Sequence, residues 1–155
     1  MRKHICLKWI FLLSIIVLID AGGKAQAQSN TVTKKQITIN NAWIRPSVKD
    51  GNTAIYFTIS NTGDKPDTLI DAQSNRAEIV EVHESYQMPN DRIGMRQVKS
   101  IVINPKSKIE FKPGGYHVMV LGVYKDYKIG DEFNFVLVFK RAGKLKLQAA
   151  VKDLN

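Results

Sequence analysis

Nine short segments of this chain carry apolar residues at every second position or in brief β-branched and aromatic runs, with turn residues falling between them. They are Ile37 to Ile44, Thr53 to Ser60, Thr68 to Ala72, Ala77 to His83, Gly94 to Val98, Ser107 to Phe111, His117 to Val123, Glu132 to Phe139 and Leu145 to Val151. Ile55, Phe57 and Ile59 share one face, as do Phe133, Phe135, Leu137 and Phe139. The turn signals are Asn61-Thr62-Gly63-Asp64, Pro89-Asn90-Asp91, Asn104-Pro105-Lys106, Pro113-Gly114-Gly115 and Ala142-Gly143. No stretch of 12 residues combines helical period with capping, and strands recur every 8–14 residues. An all-β chain is expected, folded as an antiparallel sandwich or small barrel.

A length of 155 residues suits one domain. Charged residues at 24% and hydrophobic ones at 44% exclude wholesale disorder. The lone cysteine, Cys6, excludes a disulfide scaffold and a thiolate zinc site. It lies too early to be a lipidated first residue.

Residues 1–27 are expected to be a signal peptide. Arg2, Lys3 and Lys8 precede Trp9 to Ile19, an 11-residue apolar run too short to span a bilayer, and Ala25-Gln26-Ala27 supplies a small-x-small cleavage site. Asp20 and Lys24 lengthen the segment before that site, which keeps a retained anchor as the alternative. Residues 28–40 are expected as a flexible N-terminal lead-in, most polar over 28–36, and residues 41–155 as the sandwich domain.

Removal of residues 1–27 leaves 19 basic and 13 acidic residues, a net charge of +6. Along the sequence the basic residues are scattered, without the clusters that mark a nucleic-acid groove. Export argues further against that partner. A mildly cationic surface suits docking on anionic membranes or acidic domains, and it serves plain solubility equally well.

The soft and imidazole donors left after cleavage are few: His83, His117, Met88, Met95 and Met119. His117 and Met119 are two apart on one expected strand, so their side chains leave the same face. Pro113-Gly114-Gly115 before them makes a tight turn. His83 ends one strand and Met95 opens the next, so a hairpin through residues 84–94 brings that pair together. Two imidazole–thioether pairs then meet at one end of the sandwich.

A set of two imidazoles and two thioethers favours Cu(I), because thioether is a soft, neutral donor. Calcium and magnesium want oxygen ligands, and no acidic cluster is visible. A blue-copper electron-transfer site needs a thiolate, which is missing after cleavage. The residues alone leave a packing role for these side chains open. Without metal, the chain reads as an adhesion or assembly module of the envelope. No serine, histidine and acid set has hydrolase spacing, so the chain is not expected to be an enzyme.

The pattern His83-x11-Met95-x21-His117-x-Met119 resembles the signature of the periplasmic copper chaperones called PCu(A)C. The block Lys112-Pro113-Gly114-Gly115-Tyr116-His117-Val118-Met119 is similar to that family's most characteristic stretch, and Val82-His83-Glu84 and Met95-Arg96-Gln97-Val98 resemble its other ligand segments. Ala42-Trp43-Ile44-Arg45-Pro46, Tyr56-Phe57-Thr58-Ile59-Ser60-Asn61 and Gly130-Asp131 resemble its framework. The similarity runs from about residue 41 to 151.

The resemblance implies a cupredoxin-like Greek-key sandwich with a Cu(I) site made by His83, Met95, His117 and Met119. It implies a periplasmic location and delivery of copper to the copper-site subunit of cytochrome c oxidase, beside a Sco-type thiol-disulfide partner. Some members carry Met directly after the first His, where this chain has Glu84; Met88 is then the candidate auxiliary sulfur. Trp43 and Tyr116 read first as packing groups, with Tyr116 placed to shield the metal. Glu84 and Arg96 read as solvated surface, or as residues that orient a ligand imidazole.

Overall fold

The computed structural model describes residues 31–153, so the expected signal peptide lies outside the described residues. Eleven strands and no helix make up the described chain. They are β1 (Val32–Lys34), β2 (Ile37–Ile44), β3 (Thr53–Asn61), β4 (Asp67–Gln73), β5 (Ala77–Gln87), β6 (Ile93–Gln97), β7 (Ile101–Ile103), β8 (Ser107–Phe111), β9 (Tyr116–Val123), β10 (Glu132–Phe139) and β11 (Gly143–Val151). Hydrogen bonding runs in the order β6-β5-β9-β8-β3-β2-β11-β10-β4-β7, with β9 also paired to β3 and β1 to β2. The all-β expectation holds. Pairing is antiparallel except between β2 and β11 and between β8 and β9, each a contact of one or two residue pairs.

The sheet folds over on itself. Phe57 of β3 and Phe135 of β10 are not on neighbouring strands, yet their ring centroids lie 6.0 Å apart. Phe57 also stacks on Phe111 of β8 at 4.4 Å. Around them Ile37, Ile39, Ile55, Ile59, Leu69, Ile103, Val118, Val120, Phe133, Leu137 and Phe139 close the core. Full burial of each such side chain is worth about 1.5–3 kcal/mol.

Three expectations change. First, residues 31–40 are not a loose lead-in. Ile37 and Ile39 are fully buried core residues, and β1 folds back on β2 through Lys35 and Gln36, both at positive φ (47° and 71°). Two such residues form the tight hairpin usually written with Asn or Gly, which left no turn signal to read. Second, β7 spans three residues, too few for alternation to register. Third, β5 continues to Gln87 and β6 begins at Ile93, so the hairpin connection shrinks to residues 88–92.

One irregularity shapes the outer face of the sheet. The register of β2 on β3 shifts between Asn40 and Trp43, with Asn41 at φ 56°. This extra residue sets Trp43, and not Ala42, opposite Tyr56. Without it Trp43 turns to the core side, because a one-residue slip exchanges the two faces of a strand.

Candidate metal centre

Along β9, Val118 and Val120 point into the core, so His117 and Met119 point outward. The same alternation on β5 sends Val82 inward and Glu81, His83 and Ser85 outward. Cross-strand partners share a face, and the register pairs His83 with His117 and Glu81 with Met119. On the other side of β5, Ser85 faces Met95 of β6, which puts Met95 diagonal to His83. All four expected donors therefore lie on the outer face of three adjacent strands. β5 and β6 extend past the expected boundaries, and the face lies toward one end of the sandwich, where Met119 pairs with Ala54 at the start of β3 and the loop residues Pro46, Asn52, Pro113 and Gly114 adjoin it.

Met95, His117 and Met119 share one surface cavity of about 320 Å³, walled also by Arg45, Tyr56 and Ser85. His83 joins the group through its ring, whose centroid is 5.9 Å from that of His117. Met95 is the open wall, at 59% exposure, and His117 the closed one, at 4%. Among the described residues no group of three or more His, Cys, Asp or Glu gathers anywhere, and the side chains beside the imidazoles here include two thioethers.

Each imidazole is oriented by its second nitrogen. His117 Nδ1 lies 3.0 Å from the carbonyl of Gly115, to which it donates, and this leaves Nε2 bare. The same carbonyl accepts from the Ser85 amide at 3.1 Å, which ties the turn to β5. Gly114 in that turn has φ +77°, a conformation that glycine adopts without strain. His83 Nε2 lies 2.9 Å from Glu81 Oε2, which leaves Nδ1. Burial pushes the His117 pKa below its ordinary value; the Gly115 carbonyl partly offsets this, and the neighbouring His83 adds to it. His117 is therefore a neutral donor at pH 7.

An aromatic row continues the site across the sheet. Trp43 and Tyr56 are 4.6 Å apart, and Tyr56 and His117 are 6.4 Å apart. Tyr56 is 5% exposed and carries the Arg45 guanidinium over its ring at 5.7 Å. Burial raises its phenol pKa, and Arg45 draws it partly back.

Tyr56 thus occupies the shielding position expected of Tyr116. Tyr116 turns to the opposite face and packs on Phe111 at 5.8 Å. Trp43 packs as expected. Glu84 and Arg96 bond to each other, at 2.7 Å, on the face away from the imidazoles, so neither touches an imidazole. The side chain that does bond an imidazole is Glu81, which sequence reading missed although its two-residue spacing from His83 is the available signal. Met88 is not brought to the cavity; its sulfur lies over Gly94 and beside Tyr86, on the far side of the β5–β6 hairpin. A larger cleft, about 1030 Å³, lies over β4, β10 and β11 between Gln73, Asn134, Lys146 and Gln148, and no histidine or methionine lines it.

The family model described as "Putative lipoprotein LpqE-like" matches residues 37–151, and the chain belongs to that family. It is 32% identical over 104 residues to Uncharacterized protein RP573 of Rickettsia prowazekii; the match covers 63% of this chain and spans 56% of that relative's length. Among solved structures it is similar to the copper-bound PCuAC domain from PmoF2, at 25% identity and a TM-score of 0.66, covering 80% of this chain and 98% of that one. It is also similar to the Cu(I) form of DR1885 from Deinococcus radiodurans, at 25% identity and a TM-score of 0.56, covering 83% of each chain. The likeness to PCu(A)C domains carried by the ligand spacing thus extends through the whole fold.

Proposed function

We propose that this protein is a copper carrier of the cell envelope, holding one Cu(I) between His83, Met95, His117 and Met119. The observation that carries the reading is the placement of Met95, Met119, His83 and His117 together on one sheet face. Two thioethers suit Cu(I) and add no charge, and imidazole, which binds a metal in its neutral form, completes a soft, uncharged donor set. With their other nitrogens engaged, His117 offers Nε2 and His83 offers Nδ1. The copper-bound domains of similar fold support the choice of metal.

The site suits carriage more than redox turnover. One wall, Met95, is open to solvent, so an acceptor's ligands can approach the ion without unfolding the sheet. Nothing in the donor set supplies a thiolate or a second redox centre, and the protein is read as a non-enzyme. The lipoprotein description of the family and the apolar N-terminal run support an exported, periplasmic protein. Delivery to the copper-site subunit of cytochrome c oxidase, beside a Sco-type partner, follows from the PCu(A)C resemblance.

The test is competition with a Cu(I) chelator under reducing conditions. One tight equivalent per chain is expected; failure to bind leaves the metal-free adhesion or assembly module. In a deletion strain, reduced oxidase activity restored by added copper is expected, and unchanged oxidase copper rules out the delivery role.

A further inference from the structure

We propose that the end of the sandwich remote from the His/Met face is a docking surface for an anionic lipid bilayer. Four turns meet there: Lys35-Gln36 between β1 and β2, residues 62–66 between β3 and β4, residues 104–106 between β7 and β8, and residues 140–142 between β10 and β11. Direct bonds hold them together. The Thr62 amide donates to the Gln36 carbonyl, the Lys106 amide to the Gly63 carbonyl and the Arg141 amide to Asp67 Oδ1.

This assembly gathers basic residues that the sequence scatters. Lys34, Lys35, Lys65, Lys106, Lys108, Lys140, Arg141 and Lys144 are all exposed on or beside these turns. Three acids accompany them. Asp64 pairs with Lys106 at 3.0 Å, Asp67 is buried with its oxygens taken by the Thr68, Arg141 and Ala142 amides, and Asp71 is exposed next to Ile70, opposite Val138 as Lys144 is. The end therefore carries a net +5. The described chain bears 19 basic and 13 acidic residues, so the rest of it comes to eleven against ten. Nearly all of the net charge of the domain sits at one end.

The pairing there does not quench that field. Lys34, Lys35, Lys106 and Arg141 donate to backbone carbonyls, which are neutral. Among the described residues, the side chains of Lys65, Lys108, Lys140 and Lys144 make no hydrogen bond or ion pair.

The chemistry favours a bilayer over other anions. Seven of the eight groups are lysines, mobile point charges without the bidentate fork that recognises a discrete phosphate. The turn residues include no aromatic side chain on which a nucleobase could stack. The charges spread over four turns, as a planar array of headgroups requires. Ile70 and Val102, exposed together on the adjoining face of β4 and β7, supply apolar groups that suit the headgroup boundary. Polybasic surfaces are drawn to anionic leaflets in this way.

Docking by this end fixes the orientation of the domain. Met119 pairs with Ala54, seven residues along β3 from Asn61 at the basic end. At about 3.3 Å per residue the His/Met face stands about 23 Å from the lipid, open to the aqueous side. The inference does not depend on that face binding copper.

The full chain is tested by sedimentation with phosphatidylcholine vesicles, with and without about 30 mol% phosphatidylglycerol, at low and high salt. The ratio of binding to the two compositions cancels whatever the apolar segment contributes equally to both. A ratio of at least about tenfold at low salt is expected, collapsing at about 0.5 M salt. The quadruple variant K65Q/K108Q/K140Q/K144Q should lose most of that ratio. The control K49Q/K99Q/K125Q/K128Q, with the same change in net charge, should keep it within about twofold. Equal binding to both vesicles, or equal loss in both variants, overturns the proposal. So does preferential capture by soluble polyglutamate at matched anionic charge, which assigns the end to an acidic protein.

Discussion

His83 of β5 lies directly opposite His117 of β9, with ring centroids 5.9 Å apart, yet their surroundings differ. His117 is enclosed and fixed by a backbone carbonyl; His83 is held by a carboxylate, Glu81, at 2.9 Å. Backbone support is rigid and uncharged. Carboxylate support is adjustable, and it adds negative charge beside a bound cation. The two imidazoles are thus expected to contribute unequally.

For His117→Ala, Cu(I) affinity is expected to fall at least about a hundredfold, because no nearby side chain replaces the Nε2 donor. The fold should persist with a loss of about 1–2 kcal/mol, since His117 lies outside the core cluster. Chelator competition and chemical denaturation of the same sample measure both quantities. Wild-type affinity in the variant removes His117 from the ligand set.

Glu81→Gln keeps a hydrogen-bonding group beside His83 but removes the charge. Cu(I) affinity should drop about tenfold, as for other groups that orient a ligand imidazole. Glu84→Gln, whose carboxylate bonds Arg96 on the opposite face, should leave affinity unchanged. Equal effects of the two variants defeat the distinction between them.

How much of this was legible beforehand follows from physical range. Alternation such as Phe133, Phe135, Leu137 and Phe139 is local, so the sequence reading placed β2, β8 and β10 at their observed bounds. The register of β5 on β9 is not local. It depends on how two distant strands pair, and only that pairing puts His83 against His117 and Glu81 against Met119. The four candidate donors were legible from their chemistry and spacing. Tyr56, Arg45 and Glu81 reach the site through register, and Trp43 meets Tyr56 in a tilted ring contact through a bulge with no glycine to announce it.

The lowered pKa of His117 gives the metal-free protein a pH-dependent stability. Its imidazole in the unfolded chain protonates near 6.5, whereas the buried one does so only at lower pH. Between those values the unfolded state binds more protons, so stability rises with pH. The contribution is complete above about pH 6.5 and is lost as pH falls toward the folded value. Urea denaturation at pH 7.5 and pH 5 should show this loss, and His117→Gln should flatten it. A slope that survives the substitution assigns the effect to other groups.

The sulfurs should set the preference for oxidation state. Met95 and Met119 approach one cavity from β6 and β9, and a thioether stabilises Cu(I) far more than Cu(II). Imidazole accepts both ions, so the histidines alone discriminate weakly. The double change Met95→Leu and Met119→Leu conserves size and apolarity and should cost less than about 1.5 kcal/mol in folding. Cu(I) affinity should fall sharply and Cu(II) affinity much less. Protons act on the other half of the donor set: thioethers do not titrate, whereas each imidazole exchanges metal for a proton. Cu(I) affinity of the wild type should therefore decline between about pH 7 and pH 5, with the lowered pKa of His117 delaying its share of the loss. Removal of both histidines should abolish that slope while the methionine double variant retains it. Paired Cu(I) and Cu(II) titrations across this range separate the two contributions. Equal losses for the two ions in the leucine variant make Met95 and Met119 packing residues and end the Cu(I)-carrier reading.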